Sequence, residues 1–177
     1  MGRAIARIAE FQVPTVPKTT FNVGRVGGGT SVNAIASEAW MEVDLRSSDP
    51  TSLAAVDARL EKAIEGAVAD ENTRWRTPQV ISAVKARVGD RPAGSTAADS
   101  PIVRTTEAVH RALGLPFALS ESSTDANIPM SLGIPAITIG AGGRGTDAHA
   151  LTESFDTTDS WIGTRRALLL TIALAQK

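Results

Sequence analysis

The 177-residue sequence predicts an α+β unit over residues 1–90 and part of a three-layer α/β fold over residues 91–177. Up to residue 88, the hydrophobic periodicity follows the order helix, strand, strand, helix, strand. A loop over residues 89–101, rich in Gly, Pro, Ser and Asp, then interrupts the pattern. Beyond it, helices alternate with short apolar strands, so the change of pattern predicts a domain boundary at this loop.

The first half begins with a short amphipathic helix that starts almost at residue 1. Its apolar side chains recur at helical spacing, and they are Ala4, Ile5, Ile8 and Phe11. Pro14 ends this run. Residues 20–26 predict a strand, and strict alternation of apolar and polar residues over 38–46 predicts a second one. The glycine-rich connection between the two predicts an antiparallel hairpin.

A long helix and a third strand complete the first half. Asp49 as N-cap and Pro50 at the first helical position predict the helix start. An apolar stripe continues this helix to about residue 69, and residues 78–88 predict another strand. In the second half the pattern predicts three helices and two strands. The helices cover 101–113, 125–132 and about 158–176, and the strands cover 116–120 and 136–139.

Composition excludes several classes of function. Eighteen Lys and Arg against 19 Asp and Glu leave a formal net charge of −1, which argues against binding nucleic acid through its phosphates. No cysteine is present, so disulfides, thiolate nucleophiles and cysteine-based zinc sites are excluded. No apolar run approaches the roughly 18–20 residues of a membrane span, and no secretory signal is apparent. We therefore expect a cytoplasmic protein with no membrane partner.

The sequence GAGGRG follows the predicted strand 136–139 and fits the pattern G-x-G-x-x-G at Gly140, Gly142 and Gly145. A dinucleotide site would require Gly145 to open a helix and an acidic residue on the next strand. The sequence supports neither, so nucleotide binding is a remote alternative. The simpler interpretation is a flexible loop at the carboxyl end of a strand, a position that ligands favour in α/β sheets.

The chain has two histidines, and only His149 has the surroundings of a metal ligand. It follows the glycine loop, with Asp147, Glu153 and Asp156 close in sequence. His110 lies in a predicted amphipathic helix, where a structural role is the simpler interpretation. A dinuclear hydrolytic site needs about half a dozen ligands and a general base. One histidine cannot supply these, so the other ligands would have to come from another segment.

Two segments resemble a known family. Residues 19–49 (TTFNVGRVGGGTSVNAIASEAWMEVDLRSSD) resemble the dimerisation, or lid, domain of the zinc-dependent exopeptidase and aminoacylase family. This family includes carboxypeptidase G, peptidase T and succinyl-diaminopimelate desuccinylase. Residues 123–156 (STDANIPMSLGIPAITIGAGGRGTDAHALTESFD) resemble the C-terminal part of its catalytic domain.

The resemblance implies a ferredoxin-like lid, β-α-β-β-α-β, that lacks its central first strand here. It also implies a preceding catalytic segment with the H-x-D motif, the Glu-Glu pair and the general base, none of which this sequence contains. The family uses two zinc ions to hydrolyse a peptide or N-acyl amide bond next to a free carboxylate. The chain alone is therefore expected to be inactive, to bind zinc incompletely or not at all, and to form a homodimer or higher oligomer through the lid.

The resemblance also assigns site residues. His149 matches the last metal ligand, and Gly140, Gly142 and Gly143 belong to the loop next to the substrate. Asn33 and Arg46 match the pair that grips the substrate carboxylate, a task suited to the planar fork of arginine. Their alternative roles are structural: Asn33 as a turn residue, and Arg46 as a surface partner of an aspartate.

The spacing of Asn33 and Arg46 adds a constraint. Roughly eight strand residues at about 3.3 Å each separate them by some 25 Å. They cannot grip one small carboxylate from the same chain, so we expect Asn33 to come from the partner subunit. A second hypothesis remains open, in which the chain is a non-catalytic dimerisation module or a truncated gene product.

Overall fold

Five helices and four short to medium strands make up the computed structural model, which describes residues 1–76 and 80–176. The chain divides into two units, Met1–Ala93 and Gly94–Lys177. Within the described ranges, no helix combines the length and the apolar character that crossing a bilayer requires.

The first unit contains two helices and one antiparallel hairpin. Its elements are α1 (Gly2–Ala9), β1 (Thr19–Gly28), β2 (Ala39–Ser47) and α2 (Pro50–Trp75). The strands pair from Thr19 opposite Ser47 to Gly28 opposite Ala39, with a bulge between Val23 and Arg25. The hairpin with a long connection is as the alternation of residues 38–46 predicted.

One apolar face of the hairpin packs beneath the two helices. Ile8 of α1 is fully buried and clusters with Leu60 and Ala63 of α2. Alternate residues of the hairpin and neighbouring helix positions pack around this cluster, and these are Phe11, Phe21, Val23, Met41, Val43, Leu45 and Ile64. The period-2 pattern therefore identified the core face correctly.

Local chemistry fixes where α2 begins and ends. The Asp49 carboxylate accepts a hydrogen bond from the Ser52 backbone N–H at 2.7 Å, and Pro50 occupies the first turn. The helix ends where Arg76 adopts a left-handed conformation, with φ of 48°. The apolar stripe predicted a helix to about residue 69. The helix is longer, because polar residues continue it beyond its buried face.

The strand predicted over residues 78–88 is wrong for residues 80–88, which form no β ladder. Its first two residues lie outside the described part of the chain. Instead, the Asn72 side chain bonds to both backbone polar groups of Ile81, and Lys85 pairs with Asp57 and Glu61. A strand requires a neighbouring strand with which it forms hydrogen bonds, and among the described residues no strand lies beside this segment.

The second unit consists of three helices and a small hairpin. Its elements are α3 (Pro101–Ala112), α4 (Asn127–Ser131), β3 (Arg144–Thr146), β4 (Ser154–Asp156) and α5 (Trp161–Ala175). Helices α3 and α5 contact each other. Val103, Thr106 and Val109 of α3 and Leu170 of α5 are buried.

The strands predicted over 116–120 and 136–139 are also wrong, because neither segment forms a ladder. The backbone N–H and C=O of Ala136 bond instead to the Thr96 hydroxyl. The β3–β4 hairpin, which the sequence did not predict, is the sheet present among the described residues of this unit. These residues thus do not form the three-layer sheet by themselves, since parallel strands need neighbours to pair with.

Candidate functional site

The glycine loop, residues 140–143, precedes β3 and has a conformation that requires glycine. Gly142 and Gly143 have φ of 81° and 67°, in the left-handed region. A Cβ on Gly142 would lie 2.5 Å from the Ser160 carbonyl oxygen, and one on Gly143 would lie 2.5 Å from that of Asp156. Backbone therefore packs directly on backbone around this loop. Gly145 lies within β3 rather than at a helix start, so the dinucleotide-binding geometry is not formed.

Helix α5 holds the loop through two residues. At Gly163, a Cβ would overlap the Ala141 carbonyl, so the absence of a side chain permits the close approach. At Arg166, Nη2 donates a hydrogen bond to the carbonyl oxygen of Gly140. The Nε of Arg166 is buried without a hydrogen-bond partner. A buried unsatisfied donor costs about 1–3 kcal/mol, which the other contacts of this guanidinium must offset.

His110 supports the same guanidinium from α3. Its Nε2 lies 3.3 Å from Nη1 of Arg166, and its Nδ1 lies 2.6 Å from the Pro116 carbonyl oxygen. The ring also meets Phe117 edge to face, with centroids 5.5 Å apart. The structural role that the sequence predicted for His110 agrees with these contacts, although its link to the glycine loop was not foreseen.

His149 lies in the turn between β3 and β4 and is exposed. Its φ is 69°, and its backbone N–H donates to Glu153 Oε2 at 3.2 Å. Asp147, with φ of 54°, accepts a hydrogen bond from the Thr152 hydroxyl at 3.0 Å. Two non-glycine residues in the left-handed region within one short turn show that it is held in an uncommon shape.

The carboxylates near His149 accept hydrogen bonds from residues close to them in sequence. Thr158 donates its backbone N–H to Asp156 at 2.9 Å, and its hydrogen bonds lower the pKa of that carboxyl. Among residues 1–76 and 80–176, no three His, Asp or Glu side chains are grouped so that they could hold a metal ion. The described residues therefore do not fit a complete zinc site, and His149 is at most one ligand of such a site.

Asn33 and Arg46 lie at opposite ends of the β1–β2 hairpin. Asn33 belongs to the exposed connection, where its Oδ1 accepts the Ser31 hydroxyl at 2.6 Å. Arg46 lies opposite Thr20 at the far end, and its Nε donates to Asp44 at 2.5 Å. The seven residue-to-residue steps from Ala39 to Arg46 span about 23 Å along the strand. Asn33 thus contacts a neighbour in its turn and Arg46 contacts an aspartate, as expected for the structural roles named above. The structure does not bring the two side chains together.

Sequence reasoning missed Arg166. A signal was available: Arg165 and Arg166 are adjacent in a helix that is otherwise largely apolar. Neighbouring helix positions point about 100° apart, so one of two adjacent arginines is turned toward the side that packs on the protein. The contact with Gly140, 26 residues away, could not be read from this pattern.

Comparisons with known proteins find similarity to peptidases, both in sequence and in fold. Residues 1–72 match the family model of the peptidase dimerisation domain. No curated protein matches the sequence. Two solved structures resemble the fold: aminopeptidase PepT from Bacillus cereus ATCC 10987 and a tripeptidase from Staphylococcus aureus subsp. aureus Mu50.

The likeness extends over nearly the whole chain. It covers 94% of this chain and 43% of the aminopeptidase, at 19% identity and a TM-score of 0.66. For the tripeptidase it covers 99% and 45%, at 20% identity and a TM-score of 0.70. The chain thus spans less than half the length of the peptidase structures it matches. These matches confirm the resemblance that the sequence motifs suggested: residues 1–72 are similar to the peptidase dimerisation domain, and the chain as a whole has a fold similar to part of the two peptidase structures.

Proposed function

We propose that this chain forms the dimerisation domain and the C-terminal part of the catalytic domain of an exopeptidase. The reaction would be hydrolysis of a peptide or N-acyl amide bond next to a free carboxylate. The observation that carries the proposal is the dimerisation-domain match over residues 1–72 within a fold likeness that covers 94–99% of the chain. The order α1, β1, β2, α2 corresponds to the four inner elements of a ferredoxin-like β-α-β-β-α-β lid, and the described residues of this unit form neither its first nor its last strand.

The amount of exposed surface supports the view that further polypeptide packs on these units. The chain exposes 12871 Å². Two folded units of about 9 kDa each, fully separated, would expose about 9,900 Å² together. Large apolar side chains account for part of the excess, and among them are Val80, Val84, Val88, Leu119, Leu132 and Ile134, all more than half exposed. Three of them, Val80, Val84 and Val88, lie in one exposed segment, and contiguous apolar surface usually marks an interface.

In this proposal Arg46 and Asn33 bind the substrate carboxylate from different subunits. Their positions at opposite ends of the hairpin support this division, because one chain cannot bring them to one small anion. Arg46 would exchange Asp44 for the substrate, since both are carboxylates that fit its fork. The glycine loop, through Gly140, Gly142 and Gly143, would line the substrate site next to His149.

His149 would supply one zinc ligand, with the remaining ligands and the general base held by residues that this sequence does not contain. Zinc held at a site completed by those residues would supply Lewis-acid activation of a carbonyl and of water. This chain alone is therefore expected to bind substrate-like carboxylates weakly and to hydrolyse nothing. Its cytoplasmic location remains a prediction from the sequence.

Subunit complementation tests the proposal. The chain would be joined to a catalytic segment of the family, and inactive Asn33→Ala and Arg46→Ala subunits would be mixed. A mixed dimer has one intact and one doubly defective site, so we expect it to show about half of the wild-type activity, and a random mixture of the two subunits to show about a quarter. Homodimers of either variant should stay inactive. Mixed dimers with no activity would contradict the shared site, and active homodimers would contradict the assigned roles of these residues.

The second candidate function is a non-catalytic dimerisation module. The family match over residues 1–72, which is to a dimerisation domain, favours it. Light scattering and a hydrolysis assay with dipeptides and N-acyl amino acids examine this chain directly. A dimer without activity agrees with both candidates. A monomer would contradict both, and hydrolysis that is lost in His149→Ala would show that the chain is an enzyme by itself. An in-frame coding segment for H-x-D and Glu-Glu motifs upstream would then separate the first candidate from the second.

A further inference from the structure

The glycine loop is tied to one face of α5 at two points. Gly163 lies against Ala141 in the middle of the loop, and Arg166 bonds to the carbonyl of Gly140 at its start. Positions three apart lie on the same face of a helix, so these two residues act on the loop from one side. The contact of Gly163 with Ala141 is a steric fit, but the hydrogen bond to Gly140 depends on the position of the Arg166 guanidinium.

His110 decides where that guanidinium lies. The Pro116 carbonyl only accepts hydrogen bonds, so the Nδ1 of His110, 2.6 Å away, carries a hydrogen. In the neutral ring Nε2 then presents a lone pair. An arginine only donates, so Nη1 of Arg166, 3.3 Å from Nε2, donates to this lone pair. One tautomer of one neutral ring thus completes a chain of contacts from Pro116 to Gly140.

Protonation of His110 would break this series of contacts. Both ring nitrogens would then carry hydrogens, so Nε2 could no longer accept, and two cations would face each other. The charged group that faces the ring from α5 is Arg166 itself. On α3, Glu107 one turn away is paired with Arg111 at 3.1 Å. The segment after α3 contributes the Pro116 carbonyl and the Phe117 ring, which are uncharged.

We propose that Arg166 and His110 are positioning residues for the glycine loop: neutral His110 holds Arg166 against the Gly140 carbonyl, and protonation of His110 releases it. The loop's importance for substrate rests on the proposed function. Its conformation can be measured without any activity, however, so failure of this inference is distinguishable from failure of the proposed function.

The first experiment reads the tautomer of His110 by NMR of protein with ¹⁵N-labelled histidine. The chain contains only two histidines, so a His149→Asn variant leaves the ring of His110 alone in the spectrum. At pH 8 we expect a protonated Nδ1 and an unprotonated Nε2. The opposite tautomer, which is the commoner one in free histidine, would overturn the proposal.

The second experiment follows the loop through ¹⁵N-labelled glycine in the same His149→Asn background. As pH falls from 8 to 5, the amide resonances of Gly142 and Gly143 should shift with the same midpoint as the His110 ring. In His110→Gln, which cannot become charged, the loop resonances should not respond to pH. Persistence of the response in that variant would overturn the role of His110.

Substitutions of the arginine complete the test. In Arg166→Gln the loop amides should lose protection against hydrogen exchange about tenfold at pH 8, as expected for loss of one hydrogen bond to a charged group. Arg165→Gln, an exposed neighbour, is the matched control and should leave protection unchanged. Arg166→Lys keeps a donor for Gly140 but is too short to reach both partners, so it should retain part of the protection and lose the pH response. Equal protection in wild type and Arg166→Gln would overturn the proposal.

Discussion

Gly163 lies so close to the carbonyl of Ala141 that a side chain at position 163 would overlap it. This approach brings the backbone of the N-terminal turn of α5 directly against the backbone of the glycine loop. Gly142 makes the reciprocal approach, since a Cβ there would lie 2.7 Å from the Gly163 backbone nitrogen. Two glycines 21 positions apart in the sequence are thus required by the same contact.

The first prediction concerns that contact. Gly163→Ala should destabilise the second unit by about 1–3 kcal/mol, because the new methyl group forces the loop and the helix apart. Urea denaturation measures the change. Gly145→Ala is the matched control, because a Cβ there meets only Phe155, at 3.9 Å, and its effect should stay within about 0.5 kcal/mol. Equal effects for the two variants would contradict the close approach.

The second prediction concerns the start of α2. Asp49→Ala should cost the first unit about 1 kcal/mol, because the Ser52 N–H loses its cap. Asp49→Asn should cost much less, since asparagine caps equally well. Thermal denaturation followed by the helical circular dichroism signal measures both. If asparagine destabilised as much as alanine, charge rather than capping would explain the role of Asp49.

The third prediction concerns pH and the segment after α2. Hydrogen bonds to Asp57 and Glu61 raise the pKa of Lys85 above 10.5. A group whose pKa is higher in the folded state stabilises that state at pH values below its pKa in the unfolded state. This contribution is lost as the pH rises through its pKa in the folded state. Lys85→Gln should therefore lower the stability of the first unit by about 0.5 kcal/mol at pH 7. The difference from wild type should shrink above pH 10.5.

Thermal denaturation midpoints between pH 7 and pH 11 measure the effect of Lys85→Gln. The matched control is Lys62→Gln, because Lys62 is exposed on α2, the helix that carries Asp57 and Glu61. Its difference from wild type should be small and should not depend on pH. A Lys85→Gln difference that stayed constant to pH 11 would contradict the ion pairs.

The fourth prediction concerns metal. After dialysis against zinc, elemental mass spectrometry should find well under one tightly bound ion per chain, because the described residues bring no three ligands together. Any weak binding should be lost in His149→Ala and retained in His110→Ala, the control with the other histidine. About two ions per chain would show that carboxylates elsewhere complete a site, and would contradict the incomplete site proposed here.

The sequence by itself determined the elements that local chemistry specifies. Alternation over residues 38–46 identified β2 and its buried face, and Asp49 with Pro50 identified the start of α2. The amphipathic spacing around Ile8 identified α1. In each case the signal lies within one turn or one strand, where capping and periodicity act. The family resemblance likewise rested on contiguous motifs.

The tertiary structure decided what depends on a partner elsewhere in the chain. Residues 80–88 and 136–139 have strand-like sequences but form no ladder, because a strand exists only beside another strand. The link from His110 through Arg166 to Gly140 consists of two contacts, between residues 56 and 26 positions apart, that join α3, α5 and the loop. Periodicity reports which face of an element is buried, but not which distant residue it meets. Only the packing of the chain brings these groups together.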